Sequence, residues 1–265
     1  MNTVTDKNNF LKVGGNKLNY EIINSEWFTP NEPLLVFLHD GLGSIQQWGD
    51  FPKSLSNTTG FPALLYDRYG YGKSEKLTKP HELNYFEHEA LIVLPEVLKI
   101  LNIKNKLILI GHSDGGTIAL LYAAVFPGNV NCVLTEAAHV FTEDQTLEGI
   151  RSTVNKFENG NFKKFLSSYH GNNTESMFYG WSNLWLDKDF NCWNIKGSLQ
   201  KIKCPVFAIQ GDNDKYGSVA HVNLIVNESC GPSECLIIKN CGHIPHNQAR
   251  DFVLEKMKTF IFKYY

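Results

Sequence analysis

Ser113, Asp214 and His243 are the side chains whose types and order could do chemistry together. A serine hydroxyl at neutral pH is a poor nucleophile; it needs a base to take its proton, and that base needs a carboxylate to hold its orientation. Ser113 stands at the centre of Gly111-His112-Ser113-Asp114-Gly115, a G-x-S-x-G pattern. A chain that passes sharply from strand to helix at such a pattern strains its central residue and pushes the hydroxyl outward, while glycine beside it lets the two elements approach. The N–H of Asp114 then lies at a helix N-terminus, where it can donate to an oxyanion.

The base and the acid are less sharply marked. Asp214 and His243 each follow an apolar run by a short loop, but so do close competitors: Asp212 and Glu136 for the acid, His246 for the base. The order Ser, Asp, His favours Asp214 and His243.

The elements that must position these groups are legible as changes of period. Leu34–Leu38, Pro62–Tyr66, Leu107–Ile110, Cys132–Leu134, Pro205–Ile209 and Cys235–Lys239 are short unbroken apolar runs, as in strands covered on both faces. Phe10–Val13 and Lys17–Ile23 flank Gly14-Gly15-Asn16 and predict a hairpin. Between the later runs, apolar residues recur at helical spacing. After Ser113 they are Ile118, Leu121 and Tyr122; from Asn84 to Leu101 they continue through Pro95, which should kink that helix. The alternation predicts an α/β fold with a mostly parallel sheet, helices on both faces and ligands at the carboxyl ends of the strands.

From about Phe141 to Asn194 the alternation stops and amphipathic helices take over. The expected division is a core of residues 1–139 and 195–265, with a helical lid at 140–194. Within the lid, Met177, Phe178, Trp181, Leu184 and Trp185 form a broad apolar stripe, from which Phe178, Trp181 and Trp185 are expected to face the substrate.

Composition excludes several classes. With 25 Lys plus Arg against 27 Asp plus Glu, the net charge is -2, and no basic block marks a nucleic-acid or anionic membrane surface. The six cysteines lack paired C-x-x-C spacing, so neither a zinc site nor a disulfide framework is expected; most should be buried thiols in a reducing compartment. The polar start, Met1–Asn9, and the lack of any run of eighteen apolar residues predict a cytoplasmic protein. The expected partner is a small-molecule substrate, with no metal, cofactor, nucleic acid or membrane; self-association into a homo-oligomer is left open.

The quoted stretches together resemble the α/β-hydrolase family over essentially the whole chain: His39-Asp40-Gly41, Asp67 to Ser74, Gly111 to Gly115, Gly211 to Asp214 and Gly242-His243. More narrowly, H-D-G-L-G-S, G-H-S-D-G-G and C-G-H-I-P-H are similar to small bacterial hydrolases. The resemblance implies Ser113 as nucleophile, His243 as base and then acid, Asp214 as its orienter, and the N–H groups of Gly41 and Asp114 as oxyanion donors. With these residues the first expectation is hydrolysis of a small ester through an acyl-enzyme on Ser113, the aromatic lid stripe favouring an apolar or aromatic acyl or alcohol group; C–C bond hydrolases and lyases resemble the chain equally, and a ligand receptor on the same fold is a further alternative. Serine at position 113 disfavours the family's dehalogenases and epoxide hydrolases, which place aspartate there. Many relatives have glycine where Asp40 stands. With Asp114 also beside the oxyanion donors, a negative field would favour neutral acyl substrates over acids.

Overall fold

The computed structural model describes residues 9–265 of the chain. The polar N-terminal stretch falls, apart from Asn9, outside these residues. Strands β1 (Asn9–Val13) and β2 (Asn16–Ile23) form the expected hairpin, closed by Gly14 and Gly15. Then come β3 (Leu34–Leu38), helix α1 (Phe51–Thr59) and β4 (Ala63–Tyr66). The next helical region has three parts: α2 (Tyr85–His88), a π-helical turn (Glu89–Val93) and α3 (Leu94–Ile100). Pro95 has no N–H to give the carbonyl of Leu91, and the widened turn before it accommodates that gap. The expected kink therefore takes the form of a π turn.

Strand β5 (Leu107–His112) leads through Ser113 into α4 (Asp114–Val125), followed by β6 (Val130–Glu136). The insertion between β6 and the next strand holds α5 (Asp144–Asn159), α6 (Phe162–His170) and α7 (Thr174–Trp185). A short α8 (Lys196–Leu199) returns the chain to β7 (Val206–Gly211), α9 (Ala220–Glu228) and β8 (Ser233–Ile238). Helices α10 (Pro245–Gln248) and α11 (Arg250–Tyr264) complete it. The eight strands lie in the order β1-β2-β4-β3-β5-β6-β7-β8. Pairing is antiparallel from β1 through β2 to β4 and parallel across the rest.

Why the central strands read as unbroken apolar runs is visible in β3. Leu34, Val36 and Leu38 enter one core with α3, α4 and α9; Leu35 and Phe37 enter a second with α1 and α11 on the opposite face. Helix α4 is apolar all round because it is almost wholly enclosed between the sheet and its neighbours. At the base of the insertion, Phe141 and Asn194 form an isolated antiparallel bridge. The Ile195 N–H donates to the Val140 carbonyl at 2.9 Å, and that of Thr142 to the Trp193 carbonyl at 3.0 Å. Of the six cysteines, Cys132, Cys204 and Cys241 are buried, whereas Cys192, Cys230 and Cys235 are exposed. The expectation of mostly buried thiols is thus corrected: three lie in loops or on the outer strand, where one side meets solvent. No helix among the described residues is long and apolar enough to cross a membrane.

Ser113 has φ 52° and ψ -117°, a conformation reserved for tight turns in L-residues. Its neighbours make the turn possible. A Cβ at Gly111 would stand 2.3 Å from the Gly115 carbonyl oxygen, and one at Gly115 only 1.9 Å from that of Leu38. We expect Gly115→Ala to cost about 3 kcal/mol, since backbone rather than a flexible side chain must yield; the shift in urea unfolding midpoint measures it.

Candidate active site

Five loops at the carboxyl ends of the strands meet around one cavity of about 280 Å³, lined by Ser113, His243, Asp114 and Gly41 among others. Asp214 lies behind it. The His243 Nδ1–H donates to the Asp214 carboxylate, at 2.9 Å from Oδ1 and 2.8 Å from Oδ2. The acid is itself held: Gln210 Nε2 donates to Oδ2 at 2.7 Å and the Tyr216 N–H to Oδ1 at 2.8 Å. Burial works against ionised Asp214, but the His243 charge and these hydrogen bonds outweigh it and hold the carboxyl below its ordinary range. Burial likewise opposes charge on His243, and there the adjacent Asp214 wins, with Asp40 and Asp114 adding to it, so His243 titrates above the usual 6.5. With its proton on Nδ1, the ring presents Nε2 as a base.

The competitors form a pair of their own. His246 Nδ1 donates to Glu136 Oε2 at 2.5 Å, both groups buried. His246 packs against Trp48 and touches the ring of His112. Asp212, two residues before Asp214, is exposed. His112 donates from Nε2 to the His243 carbonyl at 2.7 Å and so supports the loop carrying that residue; burial pushes its own pKa down to about 4. His139, which also lines the cavity, is pushed down to about 3 by burial and donates to the Tyr216 carbonyl.

The loop after β3 is fixed from several sides. Arg68, wholly buried, donates to the carbonyls of His39 (2.5 Å) and Asp40 (2.7 Å) and to the Tyr85 hydroxyl (2.8 Å). His39 Nδ1 gives the Asp40 carbonyl a second donor at 2.8 Å. Holding that oxygen fixes the peptide plane on which the Gly41 N–H lies. Gly41 admits no side chain: a Cβ would stand 2.2 Å from Trp181 Nε1 and 2.7 Å from Asp114 Oδ2. Asp40 turns back into its own loop, its Oδ2 accepting from the Leu42 N–H at 3.3 Å, with His112 Nδ1 3.8 Å from Oδ1.

Asp114 is different. Both carboxyl oxygens are buried without a hydrogen bond among the described residues; the Trp185 indole approaches but misses hydrogen-bond geometry. Burial pushes this carboxyl up to about 7, against the opposing pull of Arg68.

Of the insertion residues expected to face substrate, Trp181 and Trp185 line the cavity. Phe178 does not. It stacks on Phe157 at 3.7 Å between ring centroids, inside the insertion's own core, because one helical stripe must serve two partners. The sequence reading missed the contribution of α6, whose Phe162, Phe165, Leu166 and Tyr169 form another wall. Their helical spacing was the available signal.

A strained serine between a strand and a buried helix, with a histidine–aspartate pair from the loops after β8 and β7, defines a class. The chain belongs to the α/β hydrolase fold family, whose model matches residues 33–194. It is similar to the serine hydrolase BPHL of Homo sapiens, 28% identical over 187 residues, covering 66% of this chain and 62% of that protein. It thus spans less than two thirds of that relative. It is also similar to a proline iminopeptidase of Saccharolobus solfataricus, 24% identical over 271 residues, covering 87% and 85%. Among solved structures, the enol-lactonase from Burkholderia xenovorans LB400 superposes with a TM-score of 0.75 at 16% identity, covering 96% of this chain and 100% of that one; this likeness shows the fold.

Histidine titration by NMR checks the electrostatics directly. His243 should titrate above 6.5 while His112 and His139 stay neutral through the same range. Asp114→Asn, which removes a carboxylate that favours the imidazolium, should move the His243 midpoint to lower pH.

Proposed function

We propose that the protein is a serine hydrolase that cleaves a small carboxylic ester through an acyl-enzyme on Ser113. The observation that carries this reading is the doubly hydrogen-bonded Asp214–His243 pair at a cavity that also holds the strained Ser113. In this reading Ser113 Oγ attacks the ester carbonyl carbon as His243 Nε2 takes its proton. The carbonyl π electrons move onto oxygen, where the N–H groups of Gly41 and Asp114 receive the charge. Collapse of the tetrahedral intermediate breaks the ester C–O bond, and His243 returns the proton to the leaving alcohol. Water, deprotonated by His243, then repeats the sequence on the acyl group and frees Ser113.

Residues 140–194 serve as the lid over a core made of the remaining described residues, 9–139 and 195–265. The aromatic walls supplied by Trp181, Trp185 and α6 suit an apolar or aromatic substituent. Charge should discriminate too. Among the described residues no lysine or arginine lines the cavity, whereas Asp40 and Asp114 do. Asp114 is neutral below about 7 and charged above it. Rejection of a carboxylate-bearing ester against its matched neutral analogue should therefore grow as pH rises through 7. An anionic ester hydrolysed faster than the neutral one at pH 8 would sink this reading of the cavity.

The machinery is tested by labelling with a fluorophosphonate and locating the adduct by mass spectrometry. We expect the adduct on Ser113, with ester turnover reduced by at least about 10⁴-fold in Ser113→Ala and in His243→Ala. His246→Ala should retain labelling, although it leaves Glu136 buried without its partner and so lowers stability. A folded native protein that takes no label, yet binds ligand independently of Ser113, would point to a receptor. A substrate panel containing aryl esters, a proline arylamide and a vinylogous diketone, whose chromophore reports C–C cleavage, separates the bonds.

A further inference from the structure

His170 closes helix α6 and is buried between three parts of the molecule. Its Nδ1 accepts from the Gly72 N–H at 2.9 Å, in the loop after β4. Its Nε2–H donates at 3.0 Å to the carbonyl of Leu42, in the loop after β3. Both ring nitrogens are thus used, one as acceptor and one as donor, which fixes a single neutral tautomer. Three residues on, Asn173 Nδ2 donates to the carbonyls of Gly72 (3.2 Å) and Ser74 (2.7 Å), so the end of α6 is seated on the loop after β4.

The Leu42 carbonyl is where this seat meets the chemistry. The Gly41-Leu42-Gly43 segment carries a glycine on either side of Leu42, and its peptide planes would swing readily without anchors. Arg68 and His39 anchor the plane before Gly41. Asp67 Oδ1 anchors the far end by accepting from the Ile45 N–H at 2.7 Å. Among the described residues, the Leu42 carbonyl has His170 as its hydrogen-bond donor. The same α6 supplies Phe162, Phe165, Leu166 and Tyr169 to the cavity wall.

We infer that His170 is a positioning residue: by holding the Leu42–Gly43 peptide, the part of the loop that Arg68 and His39 do not hold, it makes the path of the loop on the far side of the Gly41 N–H depend on α6 being seated. Substrate pressed against the α6 wall would then favour the loop geometry that receives the oxyanion. The functional consequence rests on the ester-hydrolase reading; the coupling between His170 and the loop does not.

Two isosteric variants separate the hydrogen bonds. A Gln amide nitrogen overlies Nε2 and can keep the donor to Leu42, whereas an Asn amide oxygen overlies Nδ1 and can keep only the acceptor for Gly72. We expect His170→Asn and His170→Ala to reduce kcat on an aryl ester about tenfold with KM changed less than twofold, and His170→Gln to recover most of it. Affinity for phenylboronic acid, which forms a tetrahedral adduct on serine, should fall in parallel with kcat. Amide hydrogen exchange over residues 39–45 should quicken in His170→Asn and His170→Ala and stay near native in His170→Gln, whether or not the ester is a substrate. Unchanged exchange and unchanged kcat in His170→Asn, with only a lowered unfolding midpoint, would overturn the inference. So would Gln behaving no better than Ala. A native protein that neither labels nor turns over would instead defeat the ester reading, and the exchange data would still decide the coupling.

Discussion

The turn at Ser113 is the constraint on which the rest of the structure depends. It holds φ 52° because β5 and α4 approach so closely that Gly111 and Gly115 have backbone where a side chain would begin. The contact at Gly115 is with the carbonyl of Leu38, the last residue of β3. The steric requirement that strains the serine therefore also places the start of the next loop, His39 to Gly43, against the first turn of α4. Two backbone N–H groups from distant parts of the sequence, those of Gly41 and Asp114, are thereby brought to one edge of the sheet, where Arg68 and His39 hold the loop that carries the first. Strain in one residue becomes preorganisation of several.

Around that edge the protein sorts histidines by their neighbours. Burial opposes charge on His112, His139 and His243 alike, so among these three the stronger base is the one hydrogen-bonded to a carboxylate that has further donors. Asp214, held by Gln210 and Tyr216, gives His243 that environment. His112 faces a carbonyl and stays weakly basic, as does His139. Arg68 performs the complementary task. A buried guanidinium spent on two carbonyls and a hydroxyl is costly to desolvate, but it stiffens the loop that carries the Gly41 N–H and tempers the carboxyl of Asp114 nearby.

Much of this was legible in the sequence, for reasons that differ by element. The covered strands announced themselves because both faces of β3 and β5 need apolar side chains, and the helix after Ser113 because the period changes there. The order of Ser113, Asp214 and His243 pointed to residues that the fold gathers. Less legible was the partnering of acids with histidines: Glu136 ends β6 and Asp214 lies three residues past β7, His243 and His246 are three residues apart, and only the direction in which each loop leaves the sheet separates the two pairs. Phe178 was misplaced for a related reason. On an insertion helix with apolar residues on two sides, the sequence marks burial but not whether the covering partner is a neighbouring helix or a cavity. Asp40 illustrates a third limit, since its bond back to the Leu42 N–H depends on a turn whose path spacing does not reveal.

The bridge between Phe141 and Asn194 gives the molecule a modular seam. With the two stems joined by backbone hydrogen bonds, whatever chain lies between them begins and ends at fixed points beside the cavity. The entropy of closing such a loop grows only logarithmically with its length. Segments of different length and side-chain pattern can therefore be exchanged at this seam without re-registering the sheet. A scaffold built this way can acquire a new substrate range by replacing one contiguous stretch of chain, while the serine turn and its histidine stay where the strands put them.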